Sequence, residues 1–181
     1  MTVILNRNYV VPDVNLILNN VQDEISGKDI QVNYLDANFP FVVGFPLLPH
    51  LSHNDGRKLD LCLVYESPEG KISIKQKSRS GYGVFEGPKK GEFDQITKCK
   101  ISTYKHYDYS KYLSFGETNK ELQFSSKGTK ALVTSLLKQP QIEKLFIEPH
   151  LKTRLNLNHN KVRFHGYRSV WHDDHIHIQV N

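Results

Sequence analysis

At 181 residues, 38% apolar and 24% charged, the chain is expected to form one domain with a true core, and it lacks the bias of a disordered or collagen-like segment. No run approaches the roughly 18 apolar residues that span a bilayer. The start Met1-Thr-Val-Ile-Leu-Asn-Arg7 is too short and polar for a secretion signal, so a soluble chain without a membrane span is expected.

The net charge of +5 and pI near 9.1 fit a mildly basic solvated surface or attraction to an anionic polymer, cell wall or nucleic acid. No arginine-rich run or nucleic-acid module favours the last of these.

In chain order, Val14, Ile17, Leu18, Val21 and Ile25 repeat at helical spacing, which predicts a helix over 14–25. β-branched and aromatic content predicts strands at 30–34 and 41–45, and more strongly at 59–65. Pro68-Glu-Gly70 reads as a turn into an alternating strand over 71–76. Four glycines and a proline between Arg79 and Gly91 predict a long loop, a type of segment that is often functional. A second helix is predicted over 127–137, with Ala131, Leu132, Leu136 and Leu137 as its apolar face, and a short buried strand follows at 144–147. Pro149 opens a helical turn through Leu155, and 170–180 forms the closing strand around its His-Asp-Asp turn. The aromatics Tyr104, Tyr107, Tyr109, Tyr112 and Phe115 are expected to pack on the sheet or line a groove. Trp171 is expected in the core or as a pocket wall, while Arg163 and Arg168 are surface charges or a clamp for a substrate carboxylate.

Two clusters carry the chemistry. His172-Asp-Asp174-His175-Ile-His177 places three histidines and two aspartates in six positions, and His50-Leu-Ser52-His53 runs through Gly56 to Asp60. On a strand, His175 and His177 share one face while Ile176 and Ile178 take the other, toward the core. Gly56 supplies the permissive backbone that turns His53 back toward Asp60. A carboxylate on so apolar a strand is costly to bury without a cation. One carboxylate and two imidazoles, Asp60, His53 and His177, suit a catalytic zinc with an open fourth position. Cys62 and Cys99 are too few for a thiolate site, and either one disulfide or two free buried thiols is possible.

Ser52-His53-x-x-Gly56-x-x-x-Asp60 followed by His175-x-His177 resembles the signature of the LAS-type zinc metallopeptidases, a group that includes lysostaphin-type enzymes, D-alanyl-D-alanine peptidases and the hedgehog signalling domain. The similarity runs furthest toward the penicillin-insensitive murein endopeptidases, which carry a histidine three residues before the first ligand, as His50 does here, and a His-Asp-Asp/Tyr-His-x-His ending, as in 172–177. It covers roughly 45–61 and 145–179, including Phe146-Ile-Glu-Pro149-His-Leu-Lys152. Two departures stand out: Arg57-Lys58-Leu59 replaces small or apolar residues, and the middle of the chain is unmatched.

The resemblance implies that His53, Asp60 and His177 hold one zinc ion and that His175 acts beside its water. His172 and Asp174 are the other acid-base candidates, with His172 also an oxyanion stabiliser if protonated, and Asp173 or Asp174 able to orient a histidine. His50 and Arg168 would contact substrate. Among the remaining histidines, His165 is the best placed to approach the site, with His106, His150 and His159 unassigned. The implied fold is α+β, a small antiparallel sheet carrying the zinc site and flanked by helices, of LAS or hedgehog-like type. The implied activity is a peptidoglycan D,D-endopeptidase acting on stem-peptide cross-links, in the periplasm or at the cell surface. A D-alanyl-D-alanine-type carboxypeptidase, a non-catalytic zinc domain and a charge-driven cell-wall or nucleic-acid binder are the rival readings.

Overall fold

The computed structural model describes residues 5–45, 51–103, 111–112, 114–167 and 169–181. The first helix, α1 (Pro12–Ile25), begins with proline at its opening position, where the missing N–H costs nothing, and carries Asp13 in its first turn. Val14, Ile17, Val21 and Ile25 form its buried stripe. A 3₁₀ turn, Ser26–Lys28, leads to β1 (Tyr34–Asp36). After the 51–57 loop come β2 (Lys58–Cys62), β3 (Tyr65–Glu66) and β4 (Ile72–Ser73). A short helix α2 (Gln95–Ile101) follows, with Asp94 capping it by accepting from the Thr97 N–H at 2.9 Å. Next are β5 (Gln123–Phe124), α3 (Ser126–Lys138), β6 (Ile142–Phe146), α4 (Pro149–Arg154), β7 (Val162–Arg163) and β8 (His175–Val180).

Among the described residues the strands form a five-stranded sheet, β1-β2-β8-β6-β7, and a three-stranded sheet, β4-β3-β5. The architecture is α+β, but the larger sheet is mixed rather than antiparallel. β6 and β7 run parallel because α4 and the turn after it carry the chain back over the sheet between them. The two predicted helices are present, and they pack on each other.

Antiparallel partners share a face, so the register sorts the sheet into two chemistries. On one side Leu59 faces Ile178, which in turn faces Leu145, and Leu61 faces Ile176. All five are buried in the core with the stripes of α1 and α3. On the other side Asp36, Asp60, His177 and Phe146 form one row across β1, β2, β8 and β6.

Several predicted strands are shorter or missing, and each has a cause. The 59–65 run breaks after Cys62 because the Val64 N–H donates to Thr129 Oγ1 (3.1 Å) and its carbonyl accepts from the Ser125 N–H (2.9 Å), which draws the chain to the start of α3. The 30–34 strand begins only at Tyr34, since Gln22 reaches back to hold the Ile30 carbonyl and the Val32 N–H. Residues 41–45 turn instead of extending, and the Phe39 ring packs on Phe41 and Phe45 at 5.2 and 5.1 Å. The closing strand starts at His175 rather than 170, because Glu148 and Glu86 bind the backbone of His172 and Asp173. The turn at 67–71 forms as predicted, with Gly70 at φ 78°. Cys62 and Cys99 are free and buried, with no bridge between them. No helix among the described residues is long and apolar enough to cross a membrane.

Candidate metal centre

His53, Asp60 and His177 are buried together and form the one group of described residues able to hold a metal ion. Asp60 sits mid-strand on β2, directly opposite His177 on β8. His53 reaches them from the 51–57 loop, which turns at Gly56 with φ +76° as its sequence requires. The Val11 N–H donates to the Gly56 carbonyl at 2.9 Å, and the Asp55 N–H donates to Asn38 Oδ1 at 3.3 Å, while the Asn38 amide donates to the Tyr9 and Lys58 carbonyls.

The donor geometry fits a cation. The Ala37 carbonyl, 3.1 Å from His53 Nδ1, can only accept, so that nitrogen carries a proton and Nε2 is the ring atom turned toward Asp60 and His177. His53 Nε2 lies 3.1 Å from His177 Nδ1 and 3.3 Å from Asp60 Oδ1, and these last two are 2.8 Å apart. Nitrogen and oxygen ligands held tetrahedrally at zinc distances stand about 3.3 Å from each other. With His177 Nδ1 unprotonated, these three atoms in a buried site suit a shared positive ion. Behind them, Tyr82 donates its hydroxyl to Asp60 Oδ2 at 2.7 Å, and Arg7 forks onto Asp36, whose Oδ2 is 3.8 Å from His53 Nδ1.

His175 lies one strand step along from His177 on the same face, with its ring 5.2 Å edge-on to Tyr82. Its Nδ1 hydrogen-bonds Asp174 Oδ1, and its Nε2 is 3.9 Å from Asp60 Oδ2. Asp174 Oδ2 in turn accepts from the Gly83 N–H at 2.7 Å. The sequence clusters therefore do converge, and Asp174 is an orienting partner for His175.

His172 is buried with its ring 4.6 Å from His175. Burial first, then the neighbouring His175, His177 and His165, pull its pKa well below the usual imidazole value. This lowering favours the neutral ring, whereas an oxyanion-stabilising role would need the protonated one. Asp173 does not orient a histidine. Its carboxylate makes no hydrogen bond among the described residues, and burial beside Asp174 and Glu148 pushes its pKa well up. Glu148, which accepts from the His172 N–H at 2.9 Å, is raised to about 7 by burial.

His165 is exposed and stacks on His172 at 4.8 Å. With His172 and His177 it lines a cavity of about 260 Å³ whose other walls are Leu51, Ser52, Ser169 and Val170. His50 and Arg168, expected at the substrate, lie outside the described residues, as do Tyr104, His106, Tyr107 and Tyr109. Tyr112 and Phe115 are exposed, not packed on the sheet. Trp171 is half-buried and meets Phe85 edge-on at 5.2 Å, and Arg163 is exposed. His150 has a structural place, donating from Nε2 to the Glu86 carbonyl at 2.6 Å, and His159 accepts from the Lys161 N–H on the surface.

Tyr82 and Gly83 are site residues that the sequence reading missed. Their only signal was the glycine-rich loop around them. Comparison with protein-family models and with curated proteins finds no match to this chain.

Proposed function

We propose that the protein is a zinc-dependent peptidase that hydrolyses peptide bonds in peptidoglycan, acting as a D,D-endopeptidase on cross-links. The observation that carries the metal part is the convergence of His53 Nε2, Asp60 Oδ1 and His177 Nδ1 within 3.3 Å of one another, beside a histidine already oriented by a carboxylate. Two imidazoles and one carboxylate, with the fourth position left open, are a ligand set of catalytic zinc sites. When bound there it supplies a Lewis acid that polarises a carbonyl and lowers the pKa of a coordinated water to about 7.

The protein's own residues divide the remaining work. Asp174 holds the Nδ1 proton of His175, so Nε2 is turned toward Asp60 and the metal donors. From there Nε2 takes a proton from the attacking water and returns it to the leaving amine, a contribution of roughly 10² to 10⁴ in rate. Neutral His172 backs His175 without adding a competing positive charge. The cavity between Leu51, Val170 and His165 receives the substrate chain next to the scissile bond.

Peptidoglycan as substrate, and the periplasm or cell surface as location, rest on the likeness of 52–60 and 172–177 to the murein endopeptidase motifs. A non-catalytic zinc domain closes its site with a fourth protein ligand and has no use for an acid-base pair, whereas here three donors stand beside an oriented Asp174–His175 pair.

The test is digestion of purified peptidoglycan with and without a chelator, followed by mass spectrometry of the muropeptides. Chelator-sensitive loss of cross-linked dimers in favour of monomers is the expected result. Dimers left intact by zinc-loaded protein would defeat the substrate assignment.

A further inference from the structure

We infer that residues 78–83 form a positioning loop that sets the metal-binding carboxylate and the His175 dyad together, with Tyr82 as its key residue. The inference rests on the zinc reading above and adds a residue that neither motif contains. Two adjacent residues of the loop touch the two acids of the site. The Tyr82 hydroxyl donates to Asp60 Oδ2 at 2.7 Å, and the Gly83 N–H donates to Asp174 Oδ2 at 2.7 Å. In each carboxylate one oxygen is thus held by the loop, and the other, Asp60 Oδ1 or Asp174 Oδ1, is presented to a histidine of the centre.

The loop is itself braced for this task. Ser78 donates its hydroxyl to the Tyr82 carbonyl at 2.7 Å, and the Tyr82 N–H donates to Ser80 Oγ at 3.1 Å. Gly81 and Gly83 flank the tyrosine at φ +87° and +82°, a region that L side chains avoid. At Gly81 a Cβ would also collide with Leu35 Cδ2. Tyr82 is buried, with its ring edge-on to His175, so its hydroxyl has one fixed direction. Groups that orient a metal's ligands in this way change metal affinity by about 10- to 100-fold when removed. Tyr82 therefore acts through Asp60 and touches no reacting atom.

The experiment compares wild type with Tyr82→Phe, which deletes only the hydroxyl. Zinc affinity is measured by competition with a chromophoric chelator, and the visible absorption of the Co²⁺-substituted proteins is recorded. The expected result is about 10- to 100-fold weaker zinc binding together with an altered cobalt spectrum, because the Asp60 carboxylate loses the hydrogen bond that fixes its orientation. Equal affinity and an identical spectrum in Tyr82→Phe would overturn the inference. If Tyr82→Phe fails to fold, Ser78→Ala takes its place. That variant loosens the loop at the Tyr82 carbonyl and leaves the atoms of the centre intact, so a weakened affinity is expected and an unchanged one overturns the inference. A wild-type protein that binds neither Zn²⁺ nor Co²⁺ would instead sink the metal reading itself, which keeps the two failures apart.

Discussion

Asp60 and His177 are directly opposed across β2 and β8, and their Oδ1 and Nδ1 atoms stand 2.8 Å apart with both residues buried. The same register puts Leu61 against Ile176 and Leu59 against Ile178 on the reverse face. One pairing therefore sets both the core and the donors of the metal centre. A slip by one residue would exchange them.

Removal of a donor should abolish stoichiometric binding. In His177→Ala the remaining Asp60 and His53 make a two-ligand site, and bound zinc, measured by plasma mass spectrometry after dialysis, should fall well below one per chain. Full occupancy in the variant would remove His177 from the ligand set.

Loss of the oriented imidazole should separate binding from turnover. His175→Ala is expected to retain zinc while losing about 10²- to 10⁴-fold in kcat. Asp174→Asn, which keeps the shape but weakens the hold on Nδ1, should lose less. Normal turnover by His175→Ala would take that residue out of the mechanism.

The reverse face makes a stability prediction. Ile176 is fully buried between β2 and the helices, so Ile176→Ala should cost about 2–5 kcal/mol in urea unfolding. The loss should appear in metal-free protein as well. A change below ~1 kcal/mol would contradict the core packing described above.

Glu148 should make stability depend on pH. Burial raises its carboxyl from 4.5 to about 7, so the native state binds this proton more tightly than the unfolded chain does. Its stabilising contribution is full below pH 4.5 and is lost as pH rises toward 7, by on the order of 3 kcal/mol in all. Glu148→Gln cannot ionise, so the stability difference between it and wild type should shift in the variant's favour across that window. Measured on metal-free protein, a difference constant from pH 4 to 8 would contradict the assignment.

Local chemistry made much of this legible in the sequence. The alternation of His175 and His177 against Ile176 and Ile178 survives in the structure because strand geometry leaves a side chain only two faces. Gly56 takes the positive φ its place between His53 and Asp60 called for. What escaped depends on contacts between distant segments. Nothing near Tyr82 marks it as a partner of Asp60, 22 residues earlier, and the short helix α2 lacks a helical apolar stripe, burying only Gln95 and Cys99. The neutrality of His172 is a consequence of burial, which spacing does not report. The parallel β6–β7 pair was hidden because β7 is only two residues long.

The central claim, that His53, Asp60 and His177 form a catalytic zinc centre, is tested most directly by titration. Metal-free protein is loaded stepwise with zinc, and cleavage of a cross-linked muropeptide dimer is measured at each step on the same sample. Cleavage should rise in proportion to bound zinc and stop rising at one ion per chain. Activity that ignores occupancy, or a protein that takes up no zinc, would contradict the account.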